Sequence, residues 1–329
     1  MRLLIVSAVL LILPSLTTAV EVREKGDAMS AIEELNADSL LEVADAVFQS
    51  RDYAAALDKY QEVLEVARKD FNRPVETEVL AQIARCNLIL NNKEEGRTWL
   101  VQAEERASDS DPMGWSRYLG VRGRFEWQDN DLVTARKTFN EMYVYCNTNG
   151  LWSRAVDAAH MIAIVAESPE EQIKWSKRGI EAAESGGVES WLGPLWNNLA
   201  VTYDENKEYK SSLECFTKAR EYHWRFSGEV GKLFADYHIG MTYRKLGDFE
   251  NAGKWLRPVL AWAERIENHS AIGQAAEDLG EIEIAEGRKS AGLKMLKRAR
   301  SEYQAEGYDK TWAEIWNAIN DRIKGLEGN

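Results

Sequence analysis

The chain has 329 residues, 45% hydrophobic and 29% charged, with a formal net charge of -13 at pH 7. That is enough apolar material for a long core, and the negative balance excludes nucleic acid and anionic lipid as bulk electrostatic partners. The three cysteines, Cys86, Cys146 and Cys215, form no CxxC and their odd number rules out complete pairing within the chain, so they read as small buried apolar side chains and not as a disulfide framework.

In chain order, the first element is a secretory signal. Arg2 gives a positive start, Leu3 to Leu13 an apolar stretch, Pro14 a break, and Thr17-Thr18-Ala19 the small residues before a cut. The stretch is too short to cross a bilayer. Residues 1–19 are therefore predicted to be removed on export, leaving no integral membrane span, with retention as an N-terminal anchor as the other reading. No cysteine follows the cut, unlike in a bacterial lipoprotein. The destination is periplasmic or extracellular, the periplasm being favoured. Residues 20–37 follow as a polar leader.

From residue 38 to 326 a unit returns about every 40 residues, which predicts stacked helical hairpins. A small residue recurs on each first helix at Ala44, Ala84, Gly123, Ala200, Gly240 and Gly280. Its counterpart on each second helix, always 12 residues on, is Ala56, Gly96, Ala135, Ser212, Ala252 and Gly292. Two small residues let two backbones approach, and bulky neighbours one turn away fill the flanks. Those neighbours are Tyr60, Leu100, Phe139, Phe216, Leu256 and Leu296, followed by Val63, Ala103, Met142, Ala219, Val259 and Ala299 on the same helix face. Between the helices stand Arg51-Asp52, Asn91-Asn92, Asn130-Asp131 and Gly247-Asp248, where Asp or Asn is expected to cap the next helix.

The fourth repeat, about 150–185, admits two registers. One uses Met161, Ile173 and Ile180. The other uses Ala163, Ser176, Ile180 and Ala183, needs one extra residue in the turn near Ser168-Pro169, and is favoured on packing grounds. Lys310 to Leu326 repeats the first-helix pattern alone, with Trp316, Ile319, Asn320 and Ile323, as a polar cap on the open end; residues 327–329 are a tail.

The segments Trp196-x-x-Leu199-Ala200-x-x-Tyr203, Tyr209-x-x-Ser212-x-x-x-Phe216-x-x-Ala219 and Ile239-Gly240 through Val259 resemble the tetratricopeptide repeat family, in a longer-period variant of about 40 residues against that family's 34. The resemblance implies an all-α, right-handed α-solenoid of about seven helix-turn-helix repeats plus a C-terminal capping helix. It also implies first helices that line a concave groove, a protein or peptide partner, and no catalysis. The family's two-carboxylate clamp of Lys, Asn and Arg is not matched: Asn197-Asn198 stands at suitable positions, but the neighbouring first helices lack the Lys and Arg.

No catalytic or cofactor motif emerges. His160, His223, His238 and His269 form no HxxxH or HExxH pair, and no GxGxxG, Walker A or GxSxG sequence is present. No metal, cofactor or enzymatic activity is therefore expected. Trp115, Trp152, Trp191 and Trp312 recur near the starts of first helices, where inter-repeat packing is the more common role. Tyr222-His223-Trp224-Arg225-Phe226 fits either a contact patch or inter-repeat packing.

In the family register Arg85, Arg117, Arg124, Trp127, Asn197, Tyr237, Met241 and Arg244 face inward from first helices. Arginine and aromatic side chains are enriched in binding hot spots, and arginine in an acidic chain suits an acidic peptide or a carboxylate terminus. The expected function is an exported, non-enzymatic scaffold that captures a protein or peptide. A peptide or small-ligand sensor that changes superhelix shape is the alternative.

Overall fold

The computed structural model describes residues 36–328, so the expected signal and nearly all of the expected leader lie outside the described residues. Every helical hairpin the spacing predicts is present. The first helices are α1 (Ala37–Gln49), α3 (Arg73–Ile89), α5 (Pro112–Gln128), α7 (Trp152–Ile164), α9 (Leu192–Glu205), α11 (Glu229–Lys245) and α13 (His269–Ala285). Their partners are α2 (Tyr53–Lys69), α4 (Lys93–Arg106), α6 (Leu132–Thr148), α8 (Pro169–Ser185), α10 (Tyr209–Phe226), α12 (Phe249–Arg265) and α14 (Lys289–Ala305). A short α15 (Tyr308–Thr311) and α16 (Ala313–Glu327) close the chain, and no strand occurs among the described residues. The fold class is all-α, helix hairpins stacked in series as a solenoid.

The small residues explain the hairpins. Ala44, Ala84, Ala200, Ala56, Ala135, Ser212 and Ala252 are fully buried. A methyl group built on Gly123 would lie 2.5 Å from the Phe139 ring, and one on Gly240 would lie 2.7 Å from Leu256. The bulky residue one turn along the second helix thus occupies the space that the glycine vacates, as the spacing requires. The turns are equally regular. In the three-residue links at 50–52, 90–92, 129–131, 206–208, 246–248 and 286–288 the middle residue is left-handed: Arg51, Asn91, Asn130, Lys207, Gly247 and Gly287. Asp52, Asp131 and Asp248 then cap the second helix by accepting from a backbone N–H in its first turn, whereas Asn92 makes no such side-chain bond.

The chain divides into two compact units, 36–195 and 196–328 among the described residues, the division falling inside α9. In the first unit α1 packs on α3, α3 on α5 and α5 on α7, while α2 packs on α3 and α6 on α7. Such a helix has neighbours on several sides: α3 buries Glu76, Thr77, Glu78, Gln82 and Asn87 along with its apolar residues. In the fourth repeat the link spans 165–168, one residue longer than in the other hairpins. Ala163, Ser176, Ile180 and Ala183 are buried while Ile173 is only half-buried, which favours the second register. Trp152 sits directly on Gly186, a packing role.

In the second unit α11 packs on α13, α10 on α11 and α12 on α13, and α16 covers α14. Ile319 and Ile323 of α16 are buried against Leu296, Ala299 and Tyr303, so the cap shields the last hairpin. The sequence predicted one helix from Lys310; the chain instead breaks at Trp312, where φ is -129°. In Tyr222–Phe226, His223 is buried and meets the Ser227 hydroxyl at 2.7 Å. Trp224 is partly exposed and donates to Asp236. Cys86, Cys146 and Cys215 are buried and form no disulfide with one another, and burial pushes the Cys86 and Cys146 thiols up to about 12.

His238 stacks on Phe216 with ring centroids 4.7 Å apart. Burial, then the nearby His223 and Lys245, push its pKa down to about 4. The unfolded chain therefore binds a proton that the folded chain refuses between about pH 6.5 and 4, and stability falls as the pH drops through that window. Allowing for the ring's residual exposure, urea unfolding of the second unit should show a loss of about 1–2 kcal/mol between pH 7 and pH 5. His238→Phe should remove most of that slope, and an unchanged slope would place the proton uptake elsewhere.

Candidate functional site

The first unit gathers charge on one face of successive first helices. On α3, Glu78, Gln82 and Arg85 are spaced four and three residues apart and share a face. Arg117 and Arg124 stand seven apart on α5, and Arg154 and Asp157 three apart on α7. Packing α3 on α5 and α5 on α7 brings these rows together, and Asp45 of α1 and Tyr60 of α2 join from the preceding hairpin.

Glu78 is the hub. Its Oε1 accepts from Arg117 Nε at 3.1 Å and Nη2 at 3.0 Å, and also from Arg154. Arg117 lies 3.5 Å from Asp45 as well. Gln82 donates to Asp45 at 3.0 Å and to the Tyr60 hydroxyl at 2.7 Å, and that hydroxyl donates to Asp45. Arg124 donates to Asp157 at 2.7 Å and to the Gly120 carbonyl at 2.8 Å. Burial alone would raise the Asp157 pKa, but Arg124 and Arg85 outweigh it and hold the carboxyl well below the usual range. His160 is kept neutral: burial lowers its pKa, and the attraction of Asp157 does not restore it.

Arg85 differs from the other three arginines. Among the described residues no carboxylate lies within ion-pair distance of it; its guanidinium lies over the Phe48 ring, 4.7 Å from the centroid. Its Nε is buried without a hydrogen-bond partner, as is Nη1 of Arg154. Burial, then Arg124, pushes the Arg85 pKa down to about 9, which still leaves the group charged at neutral pH. Arg85, Arg117, Arg124, Arg154, Asp157 and Ser116 line a half-enclosed cavity with room for about one water molecule.

The expected site residues thus fall into two groups. Arg85, Arg117 and Arg124 converge on this cavity, and Trp127 does not: it is half-buried against the cluster of Phe139, Ile162 and Trp175. In the second unit Asn197 is half-buried on α9, Tyr237 is buried, and Met241 packs beside Leu256 and Leu279. Arg244 pairs with the buried Asp278. Burial, then Asp278, raises the Tyr237 pKa well above its ordinary value. Sequence reasoning missed Arg154, Glu78, Asp45 and Asp157. One signal was available: Glu78 and Arg117 are 39 residues apart, one repeat length, so opposite charges occupy matching places on adjacent first helices.

Comparison with known proteins gives the same architecture. A tetratricopeptide repeat model matches residues 193–221 and 237–265, which cover most of α9–α10 and of α11–α12. A signal transduction ATPase with numerous domains from Pyrococcus horikoshii, carrying a tetratricopeptide repeat sensor, is similar in structure with a TM-score of 0.69 and 16% identity. The match covers 88% of this chain but only 44% of that one, so the chain spans less than half of its length. The apo form of RapI gives 0.68 at 13% identity over 82% of this chain and 77% of that one. A Rap protein complexed with competence and sporulation factor gives 0.52 at 13% identity, over 88% and 87%. No curated protein sequence matches the chain.

Proposed function

We propose that this tetratricopeptide-repeat protein is an exported, non-enzymatic scaffold that captures a protein or peptide on the face formed by the first helices of its 36–195 unit. The observation that carries this reading is the arginine row. A chain with net charge -13 concentrates four arginines on one face of three successive first helices and leaves N–H donors there unpartnered. Such donors suit an acidic or carboxylate-bearing partner. The solved Rap complex with competence and sporulation factor supports binding as a use of this fold. Export rests on the signal pattern of residues 1–19, with the periplasm as the favoured destination. The sensor reading, in which a peptide or small ligand changes the repeat stack, shares the same face.

Photo-crosslinking in the native host tests the face. Ile89 lies one turn beyond Arg85 on α3 and is exposed, while Val101 is exposed on the second helix α4. A photoreactive residue at position 89 should give a discrete adduct, and one at 101 should not. Equal adducts at both positions, or none at 89, would contradict the assignment. N-terminal sequencing of the mature chain should read from Val20 if the signal is cleaved as expected.

A further inference from the structure

The charges around the α3–α5–α7 cavity do not balance. Arg85, Arg117, Arg124 and Arg154 face Asp45, Glu78 and Asp157, with His160 neutral, so one positive charge is left over in a largely buried cluster. An uncompensated buried charge costs several kcal/mol, and unmade hydrogen bonds to buried N–H groups add to that. Yet the acids that could neutralise it are already engaged: Glu78 by Arg117 and Arg154, Asp157 by Arg124 at hydrogen-bond distance with Arg85 attracting it from farther off, and Asp45 by Arg117, Tyr60 and Gln82. The leftover donors, Arg85 Nε and Arg154 Nη1, belong to two side chains that line the same cavity. Gly120 helps to shape it, since a Cβ there would press on Met142 at 3.2 Å and on the Arg124 guanidinium at 3.4 Å.

We infer that this cavity is a receptor for one carboxylate group of the bound partner, with Arg85 supplying the cation and Arg85 Nε and Arg154 Nη1 the donors that are otherwise unmatched. The proposal rests on the peptide-binding reading above and names the chemistry recognised at its centre. The water-sized space admits a single oxygen atom, so a carboxylate would seat one oxygen there and keep its carbon at the open side. The planar fork of a guanidinium matches two carboxylate oxygens. Arg85 leans on Phe48, a cation–π contact that holds it without neutralising it.

The test uses four small probes on the purified chain at constant ionic strength: N-acetyl-Ala-Ala with a free carboxylate, its C-terminal amide, N-acetyl-glutamic acid α-amide, and inorganic phosphate. Thermal unfolding at roughly tenfold excess over Kd should show the free acid raising Tm by about 2–4 °C and the dipeptide amide leaving it unchanged. A shift with the glutamic probe alone would assign the pocket to an acidic side chain; a shift with N-acetyl-Ala-Ala assigns it to a chain terminus. Arg85→Met should fold with an equal or higher Tm, because a similar-sized apolar group replaces an unpaired charge, and should weaken carboxylate binding at least about tenfold. Arg85→Lys keeps the charge without the fork and should bind more weakly than the parent. No shift with either acid, equal shifts with acid and amide, a shift with phosphate alone, or a clearly lowered Tm in Arg85→Met would each overturn the pocket. A position-89 adduct that persists unchanged in Arg85→Met would also overturn it while leaving the scaffold reading in place.

Discussion

Replacing Gly292 with valine is expected to destabilise the 196–328 unit by about 3 kcal/mol or more, read as a lowered urea midpoint. Gly292 faces Gly280 across the α13–α14 hairpin. A Cβ at position 292 would stand 2.4 Å from Ile284 Cγ1 and 2.7 Å from the Gly280 carbonyl oxygen. The second contact is between the Cβ and a backbone oxygen, neither of which a side-chain rotation moves, so α13 and α14 must separate. Separation would loosen Leu296 and Ala299, which form the floor for Ile319 and Ile323 of the cap. Even alanine should destabilise: helix propensity favours it over glycine by about 1 kcal/mol, but overpacking of this kind costs about 1–3 kcal/mol. Gly325→Ala in α16 is the control, since nothing lies within 4 Å of its Cβ position, and it should be neutral or stabilising. A Gly292→Val variant as stable as the parent would mean that the hairpins are not held at this distance.

The second large effect concerns Glu78. Its side chain is 5% exposed and accepts from both Arg117 and Arg154. Glu78→Gln keeps the shape and removes the charge, leaving two buried guanidinium groups with only Asp45 nearby. A loss of about 3–5 kcal/mol is expected in urea unfolding, the range for breaking a buried ion pair from one side. Adding Arg154→Met should restore much of it, because the double variant removes one cation along with the anion. Strict additivity of the two changes would show that Glu78 and Arg154 do not act as a unit.

The repeat was legible in the sequence because its cause is local and volumetric. Where two backbones must touch, only Ala, Gly or Ser fits, and the twelve-residue offset between Ala44 and Ala56, or Gly280 and Gly292, follows from folding one helix back on another through a three-residue turn. The fourth repeat resisted because its link is longer and α7 ends at Ile164, so the helix boundary no longer marks the register. Leu100 occupies the same place as the buried Phe139 and Leu256 but is only half-buried, a difference of environment that spacing does not encode.

The site was legible by half. The family register pointed to Arg85, Arg117 and Arg124, which lie together, but it says nothing of which charges are neutralised. Arg124 meets Asp157 across 33 residues and Arg154 meets Glu78 across 76, and such pairs are fixed by how hairpins stack. A lone acid on a helix reads as solvated until a second helix covers it. That no carboxylate among the described residues lies within ion-pair distance of Arg85, on which the proposal turns, depends on how α1, α3, α5 and α7 stack and not on any spacing along the chain.

The most direct test of that proposal watches the Arg85 side chain itself. In the chain labelled with nitrogen-15 on arginine, the Nε–H resonance assigned by its loss in Arg85→Met should move downfield and exchange more slowly with solvent when N-acetyl-Ala-Ala is added, and should stay in place with the amide. An Arg85 signal indifferent to the free acid at concentrations that saturate any thermal shift would contradict the account.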